Sequence, residues 1–119
     1  MRVAFASRDL TRVDVPFGWA PSIVVYDVGA EGSRLARTHL FEPGDPGEPG
    51  SVARRLAAVS DCDLLYAAAV EEEAAASLSR AGIRLVRTSG PEAIDALLGR
   101  LADAPGAPGP GWPRRVPGW

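Results

Sequence analysis

A few side chains bound the chemistry open to this chain. It has one thiol, Cys62, and one imidazole, His39. All 13 of its basic residues are arginine, so no lysine is present for Schiff-base chemistry. A single cysteine rules out an intramolecular disulfide. Arg8 and Arg12 flank Asp9 just after the apolar run RVAFAS, which Ser7 closes. A guanidinium there can pair with an anion, and the Ser7 hydroxyl can add a hydrogen bond. The plainer reading is a solvated loop. VDVPFGWAPS, residues 13–22, sets the rings of Phe17 and Trp19 around Gly18. Pro16 and Pro21 argue against a regular helix or a central strand there. Rings are costly to leave in water, so this loop either packs on the core or presents its rings to something else. Glu71, Glu72 and Glu73 could in principle meet a hard cation. Consecutive helix positions point apart, so helix-start electrostatics is the simpler account. Neither a Walker-type phosphate loop nor a Cys-x-x-Cys pair occurs.

The elements that must position these residues follow from pattern. RVAFAS (2–7) reads as a buried strand and SIVVYDV (22–28) as a second, rich in β-branched residues. Gly29 and Gly32 punctuate the turn to a third strand, RLARTHLFE (34–42), and so short a connection implies an antiparallel hairpin. On that strand His39 shares a pleat face with Leu35 and Phe41. PGDPGEPG (43–50) reads as a stiff solvated linker. Ser51 can cap a helix to about Ser60, with Val52, Leu56 and Val59 in one stripe. DLLYAAAV (63–70) is apolar almost throughout, as a strand covered on both faces should be. The glutamates then open an alanine-rich helix ending at Gly82, a good residue just past a helix end. IRLVRT (83–88) is the next strand. Ser89, Pro91 and Glu92 open a last helix that buries Ile94, Leu97, Leu98 and Leu101. The order is β-β-β-α-β-α-β-α, which predicts a mixed sheet of about five strands with three helices on its faces. Residues 1–103 form the α/β domain, and the Pro/Gly-rich stretch 104–119, with Trp112 and Trp119, is a tail without regular structure.

At 119 residues, one domain can bury a core without metals or disulfides. A net charge of -2 predicts no polyanion partner, so no nucleic acid is expected. The start lacks a signal peptide's apolar stretch and no run approaches a membrane span, so a cytoplasmic protein without membrane contact is the expectation.

Several segments in order resemble the NifX-like nitrogenase iron-molybdenum cofactor biosynthesis family. RVAFASRD looks like its first strand and loop. FGWA, followed by IVVYDV, is similar to its His-Phe-Gly loop and next strand. SDCDLLYAAAV resembles its aspartate-cysteine segment, AGIRLVRT its last βα unit, and GPGWPRR its Pro-rich ending. The resemblance covers nearly the whole chain. It implies a ribonuclease H-like three-layer α/β fold and no catalytic activity. It implies a carrier or accessory protein that transiently binds the iron-molybdenum cofactor or its iron-sulfur precursor. The implied partners are the nitrogenase cofactor scaffold and cluster-synthesis proteins. A ribonuclease H-type nuclease would need carboxylates converging on two metal ions, and Asp9, Asp14 and Asp27 have no such spacing.

Two departures stand out. Pro16 falls where the family commonly has a histidine, and Glu71 to Glu73 fall where it usually turns on glycine. Glycine would let a backbone approach an anion closely, whereas carboxylates repel one. A divergent member is expected, with Ser7, Arg8, Phe17, Gly18 and Trp19 as its cofactor-binding residues. One cysteine cannot hold a conventional iron-sulfur cluster, which takes about four, but a preassembled cluster needs fewer ligands. His39 and Cys62 are the candidates. Each has a plainer reading, His39 as a sheet-surface residue and Cys62 as a small apolar one. The alternative function is an interaction or regulatory module of the same fold that has lost cluster binding.

Overall fold

The computed structural model describes residues 1–29, 32–42 and 50–103. Its central sheet has five strands in the order β4-β3-β1-β5-β6. They are β1 (Arg2–Ser7), β3 (Ser22–Gly29), β4 (Gly32–Leu40), β5 (Leu64–Ala67) and β6 (Arg84–Arg87). β1 pairs antiparallel with β3 and parallel with β5; β3–β4 is antiparallel and β5–β6 parallel. The expected mixed sheet is therefore present. Its central strands, β1 and β5, are those with continuous apolar sequence, because both faces are covered.

Alternation along the strands divides the core in two. Ala4, Ala6, Ile23, Val25, Leu65 and Ala67 face α1 (Ser51–Ala58) and α2 (Glu72–Arg80). Val3, Phe5, Val24, Leu64 and Tyr66 face α3 (Ile94–Asp103), where Phe5 stacks on Tyr66 with ring centroids 5.2 Å apart. The three layers are thus two helices, the sheet and one helix. Among the described residues no helix is long and apolar enough to cross a membrane.

Three local expectations are corrected. A two-stranded sheet joins β2 (Arg12–Val13) to β7 (Glu92–Ala93). Pro91 and Glu92 therefore do not open the last helix: Glu92 pairs with Val13, and Ile94 donates its N–H to the Thr11 carbonyl at 2.9 Å. Gly50 (φ +86°), not Ser51, is the cap of α1, and Ser51 is its first residue. A register shift between Val25 and Tyr26 places Leu35 opposite Tyr26, on the α3 side. Arg37 and His39 oppose Val25 and Ile23 on the α1 side, with Phe41 packed on that core, so His39 and Leu35 do not share a face. Gly82 follows α2 at φ +77°, the left-handed position expected of it. The expected linker, Gly50 apart, and the expected tail lie outside the described residues.

Candidate cofactor-binding site

Three segments converge past the carboxyl ends of β1 and β5. They are the turn after Ser7, the aromatic loop 14–21 and the stretch 68–71 that leads into α2. Backbone bonds join the last two: Ala68 N–H donates to the Val15 carbonyl at 3.1 Å and Phe17 N–H to the Ala69 carbonyl at 2.8 Å. Past Ala67, where β5 stops, the Ala68 N–H and the Ala69 carbonyl bond to this loop instead of to a neighbouring strand. In a mostly parallel arrangement this end of the sheet is where ligands collect.

The loop answers the choice its two rings posed. Residues 17–19 form one 3-10 turn. Phe17 is wholly buried in the α1/α2 core, while Trp19 is 56% exposed. Between them, Gly18 donates its N–H to Glu71 Oε1 at 3.2 Å. A close approach, and not a positive φ, favours glycine: a Cβ here would lie 1.9 Å from Glu71 Oε2, the free end of a side chain, and 3.1 Å from Val52 Cγ2. Sequence reading assigned Glu71 to helix-start electrostatics. Its carboxylate instead leaves its own helix uncapped and reaches across to the loop.

Ser7 is fully buried, and its hydroxyl is engaged within the turn, accepting from Leu10 N–H at 2.9 Å and donating to Asp9 Oδ1 at 3.3 Å. Asp9 also accepts from the amides of Thr11 and Arg12, both at 3.0 Å, and from the Arg12 guanidinium. The Thr11 amide first, then Arg12, hold its carboxyl well below the usual carboxylate range. Arg8 is tied by its backbone, N–H to Asp14 Oδ1 at 3.1 Å, and its side chain is exposed. Arg8, Phe17, Gly18 and Trp19 thus share one end of the sheet, with Ser7 beneath them.

Arg55 is the residue that sequence reading missed. It is wholly buried, with Nε and Nη2 donating to the Ala20 carbonyl at 3.0 and 2.7 Å and Nη1 to the Ser51 carbonyl at 2.9 Å. Its guanidinium lies 4.1 Å from the centre of the Phe41 ring. The signal was available: Arg55 falls inside the Val52–Val59 stripe at helical spacing.

The two candidate metal ligands do not meet. His39 sits in a cross-strand row with Ile23 and Ala6, two strands from β1 and so roughly 10 Å from it by strand spacing. Its Nε2 accepts from Arg37 Nε at 2.9 Å, which marks the neutral ring. Burial, then the charge of Arg37, lower its pKa. Cys62 precedes β5, at the opposite end of that strand from the loop, and is completely buried. Burial first, then Asp61, push its thiol up to about 12. A ligating thiolate would have to leave the core. Among the described residues no three His, Cys, Asp or Glu side chains gather to hold a metal ion.

Comparison with known proteins places the chain in a family. The family described as dinitrogenase iron-molybdenum cofactor matches residues 1–104. The chain is 34% identical over 120 residues to Protein NifX of Herbaspirillum seropedicae, covering 98% of this chain and 81% of that protein. It is 36% identical over 104 residues to Protein NifX of Rhodobacter capsulatus, covering 82% of this chain and 65% of that one. The fold is similar to the crystal structure of PH0822 with a TM-score of 0.67 at 18% identity, covering 87% of this chain and 89% of the other. The chain belongs to the dinitrogenase iron-molybdenum cofactor family.

Proposed function

We propose that this protein is a non-catalytic carrier that holds an anionic iron-sulfur or iron-molybdenum cofactor precursor as cargo during nitrogenase cofactor assembly. It would work in the cytoplasm, beside the scaffold and cluster-synthesis proteins of that assembly. The observation that carries this reading is the convergence of the aromatic loop, the Arg8 turn and the segment 68–71 at one end of the sheet. Trp19 offers an exposed apolar wall, and Phe17 anchors that wall to the core. Arg8 offers charge to an anion, and Ser7 fixes the turn that carries Arg8. His39 is the better of the two candidate ligands, because its ring is half-buried while the Cys62 thiol lies in the core.

The test is anaerobic incubation with isolated iron-molybdenum cofactor, followed by gel filtration. Iron and a visible chromophore should elute with the protein, and Arg8→Ala and Trp19→Ala should weaken both. The competing reading is an interaction module that no longer binds a cluster. Its support is Pro16 in the loop and the exposed apolar side chains Leu10, Trp19 and Leu40. A colourless, iron-free protein would favour that module. Full binding by both His39→Ala and Cys62→Ala would remove the ligand assignments.

A further inference from the structure

We propose that the Glu71 carboxylate is an internal lid on the Gly18 amide, and that an anionic cargo reaches the loop by displacing it. The proposal rests on the carrier reading above and names how that site is closed when empty. Of the three amides in the 3-10 turn, two have backbone acceptors: Phe17 donates to Ala69 and Trp19 to Pro16, at 2.8 and 3.1 Å. The Gly18 N–H points instead at a carboxylate oxygen. A backbone N–H that donates to one anionic oxygen can donate to another.

Three features make this carboxylate removable. At 3.2 Å its bond to Gly18 is at the long end for N–H···O. Glu71 is half-exposed and ends in a flexible side chain, so water can take over its charge when it swings out. Its backbone stays engaged meanwhile, since its carbonyl accepts from Ala75 N–H at 2.9 Å. α2 need not unwind for the lid to open.

The contact is not needed to hold the loop. Val15 and Phe17 are already bonded to the 68–69 backbone, and Arg55 grips Ala20. Opening would uncover an amide between a buried ring and an exposed one, near the Arg8 turn. It would also move a negative charge away from the incoming anion. Until then Glu71 excludes weaker anions from the same amide.

The test compares wild type, Glu71→Ala and Glu71→Gln in anaerobic titrations with isolated iron-molybdenum cofactor. Gln keeps the shape and an acceptor oxygen while removing the charge. Losing a charged competitor's hydrogen bond should tighten binding by about tenfold or more in Glu71→Ala, with Glu71→Gln between it and wild type. The Gly18 amide resonance should shift in Glu71→Ala before any cofactor is added. Folding of each variant is read from its melting temperature, and Glu71→Gln carries the test if Ala disturbs α2. Unchanged or weaker binding by folded variants sinks the lid and leaves the carrier reading standing. No binding by any of the three proteins overturns the carrier reading, and the lid with it.

Discussion

Arg55 Nε and Nη2 share a single acceptor, the carbonyl oxygen of Ala20, and that forked contact ties α1 to the aromatic loop. Nothing local in sequence joins residues 35 positions apart. In the core the guanidinium's donors meet the Ala20 and Ser51 carbonyls and its flat face covers Phe41.

Replacing Arg55 by Ala strands the Ala20 carbonyl in the interior, while the Ser51 carbonyl loses the side-chain bond and keeps its place in the helix ladder. The expected loss is about 3 kcal/mol, in the range for removing buried hydrogen bonds to a charged group. Urea denaturation should show a lower midpoint. Arg55→Lys should recover little of it, because an ammonium cannot reproduce the planar fork or the stack on Phe41. Full stability in the Lys variant would show that charge alone suffices there.

Cys62 should be a poor nucleophile. With its thiol near 12, almost no thiolate exists at pH 8. A thiol reagent should label the native protein far more slowly than the urea-unfolded chain. Cys62→Ala should destabilise by about 1 kcal/mol through the small void it leaves. Rapid native labelling would place the sulfur nearer solvent and revive it as a ligand.

Asp61 gives the fold a dependence on acid. It bonds Arg37 through both oxygens and Arg2 Nη1 at 2.5 Å, and Arg37 is the larger cause holding its pKa near 2. The folded value lies below the unfolded one of ~3.9, so its contribution is complete above about pH 4. It is lost as pH falls through 2. The Asp61 side chain is 45% exposed, so solvent screening reduces the effect to on the order of 0.5–1 kcal/mol. Asp61→Asn should therefore be less stable than wild type at neutral pH, with the gap closing towards pH 2. High salt should narrow the gap at pH 7, and a gap that widened in acid would contradict the assignment.

What could be read from sequence follows the length scale of the forces involved. The three helices obey a period of 3.6 and the five strands of the main sheet show as short apolar or β-branched runs, so both are legible within each segment. β2 and β7 have two residues each, too few for any period. Pro91 and Glu92 carry a sound helix-start signal, yet a distant strand claimed Glu92 first. The face of Leu35 was lost to one bulge, which no pattern in residues 34–42 announces. At the site, FGW was legible as a loop with something to present. That Glu71 closes over Gly18 across 53 positions was not, because a carboxylate at a helix start already has a sufficient local explanation.

Gly18→Ala separates space from charge in that pair. The new methyl would collide with the Glu71 carboxylate, which is the free end of a side chain and can swing away. Val52 Cγ2, at 3.1 Å, must also yield by a few tenths of an ångström. The expected cost is thus modest, about 1 kcal/mol. Most of it comes from the displaced carboxylate, so Gly18→Ala in a Glu71→Ala background should cost less than in wild type. The two substitutions should couple by about 0.5 kcal/mol or more, measured by a double-mutant cycle in urea. Strict additivity would mean that the carboxylate does not rest on Gly18 in solution. Coupling together with tighter cofactor binding in Glu71→Ala would make the same contact both the packing constraint on residue 18 and the barrier to its amide.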